Sequence, residues 1–354
     1  MEISAGKLWG LRRLADDRGR FKMTAIDQRP PIINLVKERR GVASAPFGDV
    51  VAVKRTLAEA LAPLSSAVLI DPDYAYPHLI EGLSPRQGVI HTLEDHAFES
   101  TPAGRRSAEI PGWSVARIKR AGGDAVKLLV WYRPDADVAV RRHQEALVRR
   151  TGEGCRRYDL PFVLELLLYP LARDAGRPSD PLADPGVRPE LVLASVQTFA
   201  APDYGVDLFK LESPLAAAAV PDPAARSTPA ARATQGQFDR LGEAAGRPWV
   251  MLSAGAGKEP FRRVLTFACR AGASGFLAGR AIWWQAFQRF PDLGAVAAEL
   301  RSDGAPYMAE ICALTDREAR PWQTHPAYGD GPRLAAAGEA WCRRYPDFES
   351  AAAG

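Results

Sequence analysis

The chain has 354 residues, 47% hydrophobic and 25% charged, and a net charge of only +4. That composition is ordinary for a globular protein, and the length is ample for a large core. The basic pairs Arg105/Arg106, Arg141/Arg142 and Arg149/Arg150 lack interleaved aromatic residues, so they read as solvated faces rather than a nucleic-acid track. Four scattered cysteines form no C-x-x-C pair, the N-terminus lacks an apolar signal core, and no 18-residue apolar run occurs. The expectation is a reduced, cytoplasmic protein with neither nucleic acid nor membrane as partner.

In chain order, the first element is an apolar run at 21–26 that ends in Asp27-Gln28-Arg29. Residues 49–64 carry apolar side chains at Val50, Val53, Leu57, Ala60, Leu61 and Leu64, the period of an amphipathic helix. Short apolar runs follow at 67–70, 89–92 and 125–131, the last interrupted by Lys127. Residues 135–158 begin acidic and end basic, which suits the helix dipole. The run at 162–168 carries Glu165; a Pro-, Gly- and Asp-rich stretch at 173–188 then reads as an exposed loop. A helix at 190–199 leads to the run at 206–211, which carries Lys210. Helices at 229–245, 260–271 and 293–300 alternate with runs at 249–252 and 275–278. Beyond about residue 305, aromatic and Pro-rich pieces predict a C-terminal extension (305–354) wrapped on a catalytic domain of residues 1–304.

Near-continuous apolarity is what a parallel strand covered on both faces requires. Eight such strands alternating with helices predict an α/β fold, the (β/α)8 TIM barrel, with a doubly wound open sheet as the alternative. No G-x-G-x-x-G follows the first strand to favour that alternative.

In a barrel, function sits at the C-terminal ends of the strands. A charge inside an apolar strand is expensive unless paired or used. Asp27, Lys127, Glu165 and Lys210 interrupt strands 1, 4, 5 and 6, taken to lie on one side of the barrel, so their side chains can converge in the lumen. A desolvated lysine beside a second cation is held as a neutral amine able to attack a carbonyl. The competing reading is a purely structural ion-pair cluster. Ser253, Gly255, Gly279 and Arg280 follow the last two strands, where this fold recurrently binds phosphate. The histidines have no metal-ligand grouping, and no G-x-S-x-G elbow is present, so no metal, cofactor or serine nucleophile is expected.

Taken together, AIDQR (25–29), VLIDPDY (68–74), TPAGRR (101–106), DAVKLLVWY (124–132), PFVLELLLY (161–169), VDLFKLESP (206–214), MLSAGAG (251–257) and LAGRAIWW (277–284) resemble the class I tagatose-1,6-bisphosphate aldolase family. The resemblance runs from about residue 20 to 290. It implies a TIM barrel and metal-free cleavage of a ketose phosphate to dihydroxyacetone phosphate and a three-carbon aldehyde. By position it implies Lys210 as the imine-forming lysine, Glu165 as the acid/base, Lys127 as its cationic neighbour and Asp27 as the carboxylate ending the first strand. Ser253, Gly255, Gly279 and Arg280 match the phosphate loops, with Gln28 and Arg29 as further substrate contacts. Arg29, Arg105 and Arg106 are candidates for a second anion, and Glu212 is an alternative acid/base. The 173–188 insertion, the Trp283-Trp284 pair, Lys258 and the tail depart from the family pattern and leave the substrate open. A related sulfofructose-1-phosphate aldolase, a sugar-phosphate isomerase or epimerase, and a non-catalytic sugar-phosphate-binding regulator are the alternatives. The expected partner is a small sugar phosphate, with a homo-oligomer left open.

Overall fold

The computed structural model describes residues 2–175, 181–335 and 337–348. Part of the expected loop (176–180) and the end of the tail (349–354) lie outside the described residues. Eight parallel strands form a closed barrel: β1 Phe21–Ala25, β2 Ala67–Ile70, β3 Gly88–Thr92, β4 Ala125–Trp131, β5 Phe162–Leu167, β6 Leu208–Leu211, β7 Trp249–Met251 and β8 Gly275–Ala278. Each strand pairs with its neighbours in sequence, and β8 closes onto β1 from Gly275↔Phe21 to Ala278↔Thr24. The expected TIM barrel is therefore present, and its strand boundaries lie within two residues of those read from the sequence.

Alternation along the strands sorts side chains into two cores. Outward-facing Val68, Val126, Leu128, Leu164 and Phe209 pack against the surrounding helices. Inward-facing Ala25, Leu69, Ile90, Ala125, Val163, Leu208, Val250 and Leu277 form an apolar lumen. Below them the helix Ala5–Leu14 presses Leu11 and Leu14 into the same cluster, joined by Trp322 and Tyr328 from the C-terminal segment. Among the described residues, these side chains close the N-terminal end of the barrel.

Two residues beyond each apolar lumen position stand Asp27, Asp71, Thr92, Lys127, Glu165, Lys210, Leu252 and Gly279. The period of two alone places a largely polar ring directly above the apolar one, with Asp71 turned to Lys54 of the outer helix Phe47–Leu61.

Loops at this end are tied down. Arg133, 1% exposed, donates to Asp135, Asp174 and the Tyr169 carbonyl, and Arg173 reaches back to Asp135. The exposed loop expected at 173–188 is therefore tied at its start to the β4 loop, with Arg173 itself still exposed. Burial alone would raise the Asp135 carboxyl, but hydrogen bonds from Arg133 and Arg173 lower it from 3.8 to about 2. A carboxyl lowered in the folded state stabilises above its unfolded value, and this contribution is lost as pH falls from about 4 to 2. Asp135→Asn is expected to remove that dependence: thermal midpoints of wild type and variant, separated at pH 6, converge by pH 2.

The helix Ala305–Glu318 packs against the helices Lys258–Arg270 and Phe47–Leu61. Among the described residues, no helix is long and apolar enough to cross a membrane.

Candidate active site

The polar layer is joined by ion pairs at its centre. Lys127, 1% exposed, lies 3.0 Å from Asp27, 2.6 Å from Glu94 and 2.7 Å from Glu165. Lys210 donates to the same Glu165 oxygen, Oε2, at 2.9 Å, and it is 4% exposed. The ladder dictates this meeting, because Glu165 stands in register with Lys210 across β5 and β6.

The four strands do not lie on one side, as read from the sequence. Strands β4 to β6 are consecutive, but two strands separate β1 from this group on either side. Asp27 reaches Lys127 across the lumen, which a barrel permits and an open sheet would not.

Electrostatics follow from this packing. Burial alone would raise the Asp27 carboxyl, yet Lys127 and Lys210 hold it well below the usual carboxylate range. The Glu165 carboxyl is lowered against burial by the same two lysines. Burial would lower the Lys127 ammonium, but Asp27, Glu165 and Glu94 raise it well above the lysine range. Lys127 is thus a permanent cation, compensated by three carboxylates rather than acting as a bare charge on Lys210.

Glu94 was not found by sequence reasoning. Its side chain accepts from Lys127 Nζ at 2.6 Å and from the Leu129 amide at 2.9 Å. The available signal was the period of two: Glu94 stands two residues beyond Thr92, past the end of the apolar run. Arg29 is 3% exposed and donates to the Glu94 carbonyl at 2.9 Å, with Asp73 at 3.6 Å. It is therefore held behind Glu94 by neighbouring groups.

Lys210, Glu165, Gln28, Trp131, Ser253, Gly279 and Arg280 border a cavity of about 220 Å³ that opens at the C-terminal face. Arg280 has no carboxylate within ion-pair distance among the described residues, and it lies against the loop after β7. At Gly255, with φ +81°, a Cβ would stand 3.2 Å from its guanidinium. Gly279 is required by close approach, since a Cβ there would meet the Ala25 carbonyl at 2.4 Å and Trp283 Nε1 at 3.0 Å. Trp283 itself donates to that carbonyl at 3.0 Å and braces the end of β1. Lys258 does not join this loop; it pairs with Asp303 and lies over the Tyr307 ring.

Glu212 also borders the cavity, but its oxygens are engaged: Oε1 accepts from the Leu168 amide at 2.6 Å and Oε2 pairs with Arg188. Burial raises its carboxyl, against the opposing charge of Arg188. Arg105 is half-buried and boxed by the rings of Phe98, Trp131 and Tyr169 at 4.5, 4.6 and 5.2 Å, while Arg106 lies 3.4 Å from Glu99.

The arrangement offers a buried primary amine beside a carboxylate, a fixed cation behind it, and an uncompensated guanidinium near glycine turns. Comparison with known proteins identifies the family. Residues 22–285 match the DeoC/LacD family of aldolases. A tagatose 1,6-diphosphate aldolase of Listeria monocytogenes is 33% identical over 334 residues, 92% of this chain and 96% of that protein. Tagatose 1,6-diphosphate aldolase 1 of Enterococcus faecalis is 31% identical over 299 residues, 84% of this chain and 90% of that protein. Among solved structures, fructose-bisphosphate aldolase of Plasmodium falciparum superposes with a TM-score of 0.64 at 13% identity, covering 90% of this chain and 98% of that one. An archaeal fructose-1,6-bisphosphate aldolase, solved with its catalytic lysine bound to a carbinolamine intermediate, gives 0.51 at 17% identity, covering 86% and 98%. The structural likenesses establish the fold alone, whereas the match over most of the barrel establishes descent: the chain belongs to the DeoC/LacD aldolase family and is a lyase.

Proposed function

We propose that the protein is a Schiff-base aldolase that cleaves an open-chain ketose 1-phosphate or 1,6-bisphosphate of the tagatose or fructose type to dihydroxyacetone phosphate and a three-carbon aldehyde. The observation that carries this reading is the Lys210 amine: buried, 2.9 Å from Glu165, and facing a cavity that Arg280 also borders. The tagatose 1,6-diphosphate aldolase relatives support the substrate class.

Glu165, ionised in the resting site, accepts a proton from Lys210, and the free amine adds to the C2 carbonyl. The resulting carbinolamine carries no charge on nitrogen, so Lys210 no longer helps Lys127 to hold the Glu165 carboxyl low. Glu165 then holds its proton long enough to deliver it to the C2 hydroxyl, which leaves as water. The iminium formed draws the electrons of the C3–C4 bond as the C4 hydroxyl gives its proton to the Glu165 carboxylate that dehydration left, yielding an enamine and the aldehyde. Glu165 passes that proton to C3, and addition of water to the iminium returns Lys210 and releases dihydroxyacetone phosphate. Lys127 keeps a positive charge beside Glu165 throughout, and Asp27 Oδ1, buried with no hydrogen-bond partner among the described residues, accepts from a substrate hydroxyl. Arg280, Ser253 and the amides around Gly255 and Gly279 hold the 1-phosphate, whose binding orients C2 toward the amine.

The test is a panel of ketose 1-phosphates, 1,6-bisphosphates and a 6-sulfonate analogue, with dihydroxyacetone phosphate as the readout. At least one is cleaved, at a rate unchanged by EDTA. Arg280→Ala raises KM about 10–100-fold, the loss expected for hydrogen bonds to a charged group, with a smaller effect on kcat. Interconversion of isomers without dihydroxyacetone phosphate, or turnover that EDTA abolishes and zinc restores, contradicts the reading.

A further inference from the structure

Lys54 lies on the outer helix Phe47–Leu61, among the buried residues Val50, Val53, Leu57 and Leu61. It is 0% exposed. An ammonium on the apolar face of a helix is unfavourable unless all three hydrogens find acceptors. Here they do: Nζ donates to the Ile26 carbonyl at 2.7 Å, to the Gln28 carbonyl at 3.0 Å, and to the Asp71 carboxylate. Asp71, also 0% exposed, is fixed in turn by the Tyr74 amide, which donates to Oδ1 at 2.8 Å.

The two carbonyls belong to the residues on either side of Asp27. Strand β1 ends at Ala25, so the ladder no longer fixes the chain where Asp27 and Gln28 stand. This segment still has to present two acceptors with some accuracy. Asp27 Oδ1 and Gln28 Oε1 are both buried and without hydrogen-bond partners among the described residues, while Asp27 Oδ2 lies 3.0 Å from Lys127.

We infer that Lys54 is a positioning residue. From outside the barrel it clamps the carbonyls of Ile26 and Gln28, and so fixes Asp27 against Lys127 and Gln28 at the edge of the active-site cavity. Lys54 touches no part of the cavity itself. Its charge is matched by Asp71, so the clamp adds no net charge to the Lys127 cluster. The inference rests on the aldolase reading for its effect on turnover, but not for its effect on the chain segment.

Two variants test it, each with two measurements. Lys54→Met removes the clamp. Lys54→Met with Asp71→Leu removes it without leaving a buried unpaired carboxylate, and so covers the case in which the single variant fails to fold. Amide hydrogen exchange followed through residues 21–33 is expected to accelerate about tenfold or more at 26–29 while strands β4 to β6 keep their protection. Cleavage of the best ketose phosphate is expected to lose on the order of 100-fold in kcat/KM. Repeated in an Asp27→Asn background, the Lys54 substitution should cost only about twofold, because its effect passes through a residue already disabled. A purely structural lysine would instead cost the same factor in both backgrounds. Unchanged exchange at 26–29, or equal losses with and without Asp27, overturns the inference. If wild type cleaves no ketose phosphate, the aldolase reading falls, and the exchange measurement still decides whether Lys54 positions the segment.

Discussion

Lys210→Ala is expected to reduce cleavage to background, a loss on the order of 10⁴-fold or more, as for other residues without which no covalent intermediate forms. No other group can replace this amine. Lys127 is the second lysine at the site, but its ammonium is raised far above the lysine range and engaged by three carboxylates. The variant should fold, because Glu165 keeps Lys127 as partner at 2.7 Å and is not left as an unpaired buried charge. Kinetics with dihydroxyacetone phosphate release as the readout, beside thermal melting, separate loss of chemistry from loss of fold. Retention of a tenth of the wild-type rate by a folded Lys210→Ala protein would remove the nucleophile from the scheme.

Glu165→Gln should slow turnover about 10²–10⁴-fold, the usual contribution of a positioned acid or base. The amide preserves shape and can still meet a lysine, so substrate binding should survive with KM changed little. The proton transfers assigned to Glu165 predict a further signature. Because its carboxyl is held low by Lys127 and Lys210 against burial, the wild-type base is ionised at neutral pH, and activity is lost only as pH falls through that lowered value. The variant should lose this acid limb. A Glu165→Gln enzyme with an unchanged pH profile would place the proton transfers elsewhere, with Glu212 the first candidate, since burial raises its carboxyl.

Much of this was legible in the sequence, for identifiable reasons. The barrel strands are covered on both faces, so runs such as 125–131 and 162–168 stand out by apolarity. Once a strand is placed, a charge within it is conspicuous, which is how Lys127, Glu165 and Lys210 were found. Other features left weaker traces. Glu94 lies in the polar stretch after β3, where only the continued alternation marks it. The helix Pro30–Arg40 is not among the predicted elements; it begins with two prolines, which are well suited to a helix's first turn. Lys54 was not singled out at all, because a lysine on an amphipathic helix ordinarily faces water, and only the packing shows it turned inward. The arrangement of strands around the barrel also mattered: linear order placed β1 beside β4 to β6, whereas ring closure sets it opposite them.

The central claim is that one amine, on Lys210, becomes covalently joined to the substrate carbon. Borohydride added during turnover of a ketose phosphate reduces that iminium to a stable secondary amine, and peptide mass mapping then locates it. The account predicts inactivation that depends on substrate, with the added mass on the peptide containing Lys210 and none in Lys210→Ala. An adduct on Lys127 or another lysine, or continued turnover with no adduct under borohydride, would contradict it.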